Sequence, residues 1–160
     1  MKVTDEFVFF YSNTPYSNFY PSKFIVDDIE FNCGEQWIMY QKAVLFNDLI
    51  IANKILKTSE PKKIKSLGRQ VANFNEKIWN IHREQKTFTG LLEKFKQNEH
   101  LSKVLIDTGN RELVEASPTD RIWGIGLAES DPRIFNKSEW LGRNILGEIL
   151  MKVRSQLRKN

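Results

Sequence analysis

The sequence has one cysteine, Cys33, and two histidines, His82 and His100, so it offers few side chains that bind transition metals. A single cysteine cannot form a disulfide within the chain, and no histidine or cysteine has a partner at the spacing of a zinc site. The sequence also lacks a P-loop, a dinucleotide-binding glycine motif and a nucleophile-elbow motif. We therefore expect no metal ion, no cofactor and a reducing, cytoplasmic environment.

Long apolar runs are missing as well. The first apolar stretch, Phe7–Tyr11, has only five residues, which is too short for a signal sequence or a membrane span. The charge is nearly balanced, because 24 basic and 20 acidic residues give a net charge of +4. Such a mild bias is compatible with phosphate-bearing ligands but does not require them. We expect no association with a membrane.

No internal repeat, low-complexity tract or flexible linker interrupts the chain, which predicts a single domain over residues 1–160. Apolar patterning predicts short strands, at Phe7–Tyr11, Lys23–Val26, Glu30–Asn32 and Leu113–Ala116. Helical periodicity and capping residues predict helices, at about Glu35–Phe46, Leu49–Leu56, Lys62–Val71, Asn75–Phe95, Leu101–Ile106 and Ser138–Leu157. The predicted fold class is α+β, mostly helical, with a small β component near the N-terminus.

The longest predicted helix follows Asn75, a good N-cap, and carries two stripes. An apolar stripe is expected to face the core, with Ile78, Ile81, Phe88, Leu91, Leu92 and Phe95. Trp79, Arg83 and Lys86 form a second stripe beside it. An indole can stack on a nucleobase while neighbouring cations bind phosphate, although a partly buried tryptophan with ordinary surface charges has the same pattern.

Glu35 and Lys42 are seven positions apart, so two helical turns place them on one helix face. They are either a capping acid and a lysine that reaches solvent, or an ionised carboxylate in a pocket with a cation beside it. Such a cation could bind a phosphate or a carbonyl group. Arg69, directly after Gly68, is a further candidate for phosphate.

The segment Glu112–Leu127 passes from an apolar run into a loop that combines Asp120, Trp123 and Gly124. Proline and aspartate suit a simple turn, but a connecting loop gains little from an exposed indole. The aromatic segment Tyr16–Pro21 could line a flat ligand in the same way, or could simply be a packed loop.

Nine segments, in register along the chain, resemble the NADAR family, also called YbiA-like proteins. They are FFY at 9–11, SNFYP at 17–21, CGEQW....K at 33–42, LGR at 67–69, Trp79, KFKQN at 94–98, TG at 108–109, EASPTDRIWGIGL at 115–127 and W.GRN.LG..LM..R at 140–154. The resemblance implies an α+β fold and hydrolysis of N-glycosidic bonds. The substrates it implies are phosphoribosylamino-pyrimidine intermediates of riboflavin synthesis or, in other branches, ADP-ribose on guanine bases, including those of nucleic acids.

The family's important acids, tryptophans and WG motif correspond to Glu35, Trp79, Asp120, Trp123 and Gly124. A Schiff-base lysine has been proposed for some members, and Lys42 is the motif lysine of this chain. The chain departs from many relatives in a shorter loop before SNF, in Gln36 where some have histidine, and in Ile125 where some have an acid between the two glycines.

These observations predict a metal-free N-glycosidase that acts on a phosphorylated ribosylamine nucleotide. Glu35 and Asp120 are the predicted catalytic carboxylates. The predicted substrate-binding residues are Asn18, Phe19, Lys42, Arg69, Trp79, Arg83, Trp123 and Gly124, with the tryptophans at the base and the cations at phosphate. Two alternatives are removal of ADP-ribose from guanine and a non-catalytic nucleotide- or RNA-binding module.

Overall fold

The computed structural model describes all residues, Met1–Asn160, which form two compact units. The first unit consists of Met1–Ser17 and His100–Asn160, and the second of Asn18–Glu99. Six α-helices and five short strands confirm the predicted α+β class. The single domain over residues 1–160 stays a prediction. None of the helices combines the length and the apolar content that a membrane crossing requires.

The second unit opens with a β-hairpin. Strands β3, Phe24–Val26, and β4, Ile29–Phe31, pair antiparallel. Asp27 and Asp28 between them both have positive φ, at 49° and 63°. Two left-handed residues form the two-residue turn whose twist matches that of the strands, and aspartate tolerates this conformation. The predicted hairpin is therefore confirmed.

Three helices follow the hairpin: α1, Gly34–Leu45, α2, Leu49–Leu56, and α3, Pro61–Arg69. Local signals set their starts. The Asp48 side chain accepts a hydrogen bond from the N–H of Ile51 and caps α2, and Pro61 occupies the first position of α3. The helices share one apolar cluster, formed by Cys33, Ala43, Ile51, Ala52, Ile55, Ile64, Leu67 and Val71.

The long helix α4, Glu76–Lys96, starts at the predicted N-cap, since the Asn75 side chain accepts from the N–H of Ile78. The predicted apolar stripe is wrong at its beginning, because Ile78 is 43% exposed and Ile81 is 75% exposed. Trp79 and Arg83 are buried instead.

Packing against α1 explains which face of α4 is buried. The Trp37 indole of α1 occupies the space where a Cβ on Gly90 would stand, and its Nε1 donates to the Lys86 carbonyl at 2.7 Å. This contact requires a small residue on the facing surface of α4. The buried face of α4 therefore follows its glycine rather than its isoleucines.

The first unit contains a three-stranded sheet in the order β1-β2-β5. Strand β1, Lys2–Val3, is antiparallel to β2, Phe7–Phe10, and β2 is parallel to β5, Glu112–Glu115. The polar start of the chain concealed β1 from the sequence prediction. One face of the sheet packs into an apolar cluster that includes Phe9, Val114, Ile125 and Ile134.

Two helices complete the first unit: α5, Glu99–Ile106, and α6, Ile145–Lys159. The predicted start of the last helix at Ser138 is wrong. Residues 137–139 form a 3₁₀ turn, and Trp140 and Leu141 precede α6. The backbone N–H groups of Leu141 and Asn144 donate to the carbonyls of Ile125 and Gly124, so this segment pairs with the loop instead of coiling.

Candidate active site

Glu35 lies in the first turn of α1 and is only 8% exposed. Its backbone N–H donates to the Asn18 carbonyl at 2.8 Å. This hydrogen bond joins the loop before the hairpin to the start of α1. The helix N-terminus favours the ionised carboxylate, because the first N–H groups of a helix carry partial positive charge. The structure thus holds a buried acid in an environment that supports its charge.

Lys42 follows two turns later and is half-buried, with its Nζ 4.4 Å from the centre of the Phe74 ring. Burial lowers the pKa of Lys42, the nearby Arg69 lowers it further, and Glu35 opposes both effects. Lys42 therefore lies close enough to Glu35 and to Arg69 to interact electrostatically with each of them. The roles of these three residues in a substrate site stay predictions.

Gly68 brings Arg69 to this place. A Cβ on Gly68 would collide with the Met39 side chain of α1, so the glycine allows α3 to lie directly against α1. Arg69 ends α3 with its side chain exposed. An exposed guanidinium near the half-buried Lys42 is well placed to meet an anionic group that arrives from solvent.

Phe19 and Asn18 belong to the loop that leads into the hairpin. Asn18 is buried, whereas Phe19 is half-buried with the Lys65 Nζ 5.9 Å from its ring centre. Lys65 and Arg69 are four residues apart on α3, which places them on one helix face. An aromatic ring and two cations thus border the second unit where α3 meets this loop.

Trp79 and Arg83 lie on the buried face of α4, and the Arg83 Nη1 donates to the Asn80 Oδ1 at 2.8 Å. This burial differs from the prediction of a stripe beside the apolar one. A buried indole offers a ligand less area for stacking than an exposed one. Base stacking on Trp79 and phosphate binding by Arg83 stay predictions.

The loop of the first unit is organised by Asp120. Its Oδ1 accepts hydrogen bonds from the N–H groups of Ile122 at 2.9 Å and Trp123 at 2.8 Å, and its carbonyl accepts from Gly126 at 3.0 Å. The turn-forming role considered for this aspartate is therefore observed, while its catalytic role stays a prediction.

Gly124 is required by the same loop. A Cβ on Gly124 would stand 2.8 Å from the Glu115 carbonyl oxygen and 2.9 Å from the Ser117 Cβ. Trp123 beside it is half-buried. The glycine therefore lets the loop close onto the end of β5, and this packing role accounts for its place in the WG motif.

Sequence reasoning missed Lys94, a fully buried lysine of α4. Burial lowers the pKa of Lys94 to about 7, and the neighbouring Cys33 has its pKa raised by burial. The signal was present, because Trp79, Arg83, Thr87 and Lys94 recur at helical spacing and mark the buried face of α4. The isoleucines on the opposite face masked that pattern.

Lys94 should make the stability of the protein depend on pH. The folded protein releases this proton near pH 7, whereas an unfolded lysine keeps it to about pH 10.4, so stability rises with pH between these values. We expect a slope of up to about 1.4 kcal/mol per pH unit above pH 7, and a flatter profile for Lys94→Met.

Urea unfolding of both proteins at pH 6, 7.5 and 8.5 measures this slope. The wild type and the variant must be compared, because other groups also change stability with pH. The raised pKa values of Cys33 and Tyr16 make the folded state less stable as the pH increases, and both residues are present in both proteins. Parallel profiles for the wild type and Lys94→Met would rule out Lys94 as the source.

The chain is similar to several known proteins. The family model described as the NADAR domain matches residues 8–158. A protein of Acanthamoeba polyphaga mimivirus that is named an N-glycosidase is 39% identical over 165 residues, which cover 96% of this chain and 97% of that protein. Protein irg-1 of Caenorhabditis elegans is 42% identical over 171 residues, covering 96% of this chain and 81% of its own length.

Two further similarities are to a solved structure and to a larger protein. The NMR structure of the E. coli protein YbiA superposes with a TM-score of 0.80 at 28% identity, covering 99% of this chain and 88% of YbiA. A riboflavin biosynthesis protein of Vibrio vulnificus is 31% identical over 144 residues, which cover 90% of this chain and 35% of that larger protein.

Proposed function

The chain belongs to the NADAR family, and from that premise we propose that it hydrolyses the N-glycosidic bond of phosphorylated ribosylamine nucleotides. Early intermediates of riboflavin biosynthesis are the substrates of this class that we favour. Relatives named as an N-glycosidase and as a riboflavin biosynthesis protein support this choice. The reaction replaces the bond between C1′ and the base nitrogen by a bond from C1′ to water, and the base leaves as an amine.

The observation that carries this proposal is the buried Glu35, which interacts electrostatically with Lys42, itself close to Arg69. Cleavage of the bond develops positive charge on the ribose ring, and a nearby carboxylate held in a partly dry site stabilises that charge. Lys42 and Arg69 supply positive charge for the substrate phosphate. The acid Glu35 thus matches the positive charge that develops on the ribose ring, and the cations Lys42 and Arg69 match the negative charge of the phosphate.

Asp120 is proposed as the second carboxylate, which activates water or protonates the leaving nitrogen. Its Oδ1 already accepts two loop N–H groups, and these bonds fix the orientation of the carboxylate. Trp79 and Trp123 are proposed to hold the base, with Arg83 as an additional phosphate contact. Asn18, Phe19 and Gly124 complete the proposed substrate site.

A second chemical route runs through Lys42. Because burial and Arg69 lower the pKa of Lys42, a larger fraction of its amine is neutral and nucleophilic at neutral pH than in an exposed lysine. In this route the amine bonds to C1′ as the base leaves with a proton, which gives a glycosylamine. Its sugar ring then opens by breaking the bond between C1′ and the ring oxygen, and water hydrolyses the resulting Schiff base.

Borohydride trapping tests this route. With substrate present, we expect reduction to leave a sugar phosphate on Lys42 that mass spectrometry of the peptides detects. Lys42→Gln should give no adduct, whereas Lys54→Gln, which removes an exposed lysine of α2, should still give one. A wild-type enzyme that turns over without any trapped adduct would favour direct attack by water.

Removal of ADP-ribose from guanine is the second candidate function. The exposed Lys65 and Arg69, one helical turn apart, could meet the two phosphates of ADP-ribose. Incubation with a phosphoribosylamino-pyrimidine and, separately, with ADP-ribosylated guanosine or DNA distinguishes the candidates. The product is ribose 5-phosphate in the first case and ADP-ribose in the second.

Turnover of neither substrate, together with salt-sensitive binding to RNA, would contradict both enzymatic candidates. That result would instead favour the nucleotide- or RNA-binding module. The assay therefore separates the three readings with one protein preparation.

A further inference from the structure

The loop before the hairpin contains a buried acceptor that no protein group satisfies. Asn18 is 9% exposed, and its Oδ1 has no hydrogen-bond partner. Folded proteins contain few such atoms, because a buried acceptor without a partner has lost its water and gained nothing in return. An orphaned acceptor at the edge of a candidate active site therefore calls for a donor from outside the protein.

The position of this oxygen is fixed from two sides. The Asn18 carbonyl accepts the Glu35 N–H at 2.8 Å, so the backbone of the loop is tied to the first turn of α1. A Cβ on Gly34 would stand 2.9 Å from the Asn18 Oδ1 and 3.3 Å from the Asn18 Cα. Only glycine at position 34 permits this approach, and the backbone hydrogen bond from Glu35 holds Asn18 against the start of α1 before any ligand arrives.

The identity of the missing donor follows from the residue next to Asn18 in the structure, Glu35 in the first turn of α1. Glu35, whose carboxylate is proposed to stabilise positive charge at C1′, is the residue hydrogen-bonded to the Asn18 backbone. The donor on the carbon next to C1′ is the 2′-hydroxyl. In glycoside hydrolysis, hydrogen bonds to this hydroxyl strengthen as the transition state forms.

We infer that the Asn18 Oδ1 accepts a hydrogen bond from the 2′-hydroxyl of the substrate and that Asn18 selects ribose over 2′-deoxyribose. The inference rests on the proposed N-glycosidase function and adds a residue that determines specificity for the sugar. Because the contact strengthens in the transition state, its loss should lower kcat as well as kcat/KM.

The experiment compares ribo and 2′-deoxyribo forms of one phosphoribosylamino-pyrimidine. Each enzymatic rate is divided by the uncatalysed rate, since deoxyribosides hydrolyse faster without any enzyme. We expect the wild type to favour ribose by about tenfold to a hundredfold and Asn18→Ala to lose this preference. Asn18→Asp keeps an acceptor at the same place and should retain the preference.

Asn32→Ala is the matched control. Asn32 precedes the same helix, is half-buried, and also has an Oδ1 without a partner, but its Nδ2 donates to the Thr58 carbonyl at 3.3 Å. Its replacement should leave the ratio of the ribose and deoxyribose rates unchanged. Calorimetric binding of ribose 5-phosphate and 2-deoxyribose 5-phosphate gives a second readout that does not depend on the base.

The outcomes separate the inference from the function on which it rests. A wild type that hydrolyses both forms with equal acceleration, or an Asn18→Ala variant that keeps the full preference, overturns the inference alone. A wild type that hydrolyses neither form and binds neither sugar phosphate overturns the proposed function as well. If Asn18→Ala does not fold, Asn18→Asp and the wild-type preference decide.

Discussion

Glu35→Gln is expected to lower kcat by about a hundredfold to a thousandfold, the usual effect of removing one group that stabilises a developing charge. Glutamine has nearly the shape of glutamate, and the backbone hydrogen bond from residue 35 to the Asn18 carbonyl is unaffected by the change. The loss therefore reports the charge of the side chain. The measurement is release of sugar phosphate under saturating substrate.

Glu30→Gln is the control for this variant. Glu30 lies on β4 in the same unit and forms only an exposed ion pair with Lys23 at 3.8 Å. The control should keep wild-type activity, and both variants should unfold at a similar temperature. Activity of Glu35→Gln within a few fold of the wild type would contradict the role of this carboxylate.

A second effect of Glu35→Gln concerns Lys42. Glu35 is the charge that raises the pKa of Lys42 against burial and Arg69, so its removal should lower that pKa further. The alkaline limit of the phosphate-binding affinity should then move to lower pH, because a neutral lysine no longer attracts the phosphate. Binding of ribose 5-phosphate to both proteins across the alkaline range measures this shift.

Local signals predicted much of the fold. Asn75 caps α4, Pro61 starts α3, and the two aspartates at 27 and 28 form the hairpin turn, each for reasons contained within a few residues of sequence. Predictions failed where the structure depends on contacts between residues that are distant in the sequence. The buried face of α4 is decided by the Trp37 ring seated on Gly90, a contact between two helices that no local pattern contains.

For the candidate site, too, the sequence predicted contacts within one helix but not contacts between helices. Glu35 and Lys42 are neighbours because of helical periodicity, which the sequence shows directly. Arg69 belongs to another helix, and its proximity to Lys42 depends on the packing of Gly68 against Met39. Spacing alone could not predict that proximity, although the place of Arg69 directly after Gly68 had made it a candidate for phosphate binding.

Two departures from the family pattern have a structural explanation. The Gln36 side chain accepts from the Asn32 N–H at 2.8 Å and donates to the carbonyls of Ile55 and Thr58 at 3.0 Å and 3.1 Å. Ile125 is fully buried in the apolar cluster of the first unit. Both side chains therefore contribute to the packing of their own unit.

The largest expected loss of stability comes from Asn144, the residue that closes the outer edge of the sheet. Its Oδ1 accepts from the Glu115 N–H at 3.0 Å, and its Nδ2 donates to the Leu113 carbonyl at 2.9 Å. Strand β5 is an edge strand of the sheet. The Glu115 N–H and the Leu113 carbonyl lie on the side of β5 that faces away from β2. The amide of Asn144 therefore takes the place of a further strand.

We expect Asn144→Ala to lower the free energy of unfolding by about 3–7 kcal/mol. The variant leaves two polar groups of β5 without partners, at about 1–3 kcal/mol each, and places alanine in a left-handed conformation that costs about 1 kcal/mol more. Asn144 has φ 54° and is almost fully buried, so water cannot replace the lost bonds. Urea unfolding at 25 °C measures the change.

Asn73→Ala separates the hydrogen bonds from the backbone conformation. Asn73 has φ 59°, nearly the same as Asn144, but is exposed. Its replacement should cost only the conformational part, about 1 kcal/mol. If Asn144→Ala is destabilised no more than Asn73→Ala, the two bonds to β5 contribute little. A larger loss shows that the Asn144 amide stabilises β5, the strand that precedes the Asp120 loop. In the Asn144→Ala variant, this loop should then be the first part of the unit to lose protection from hydrogen exchange.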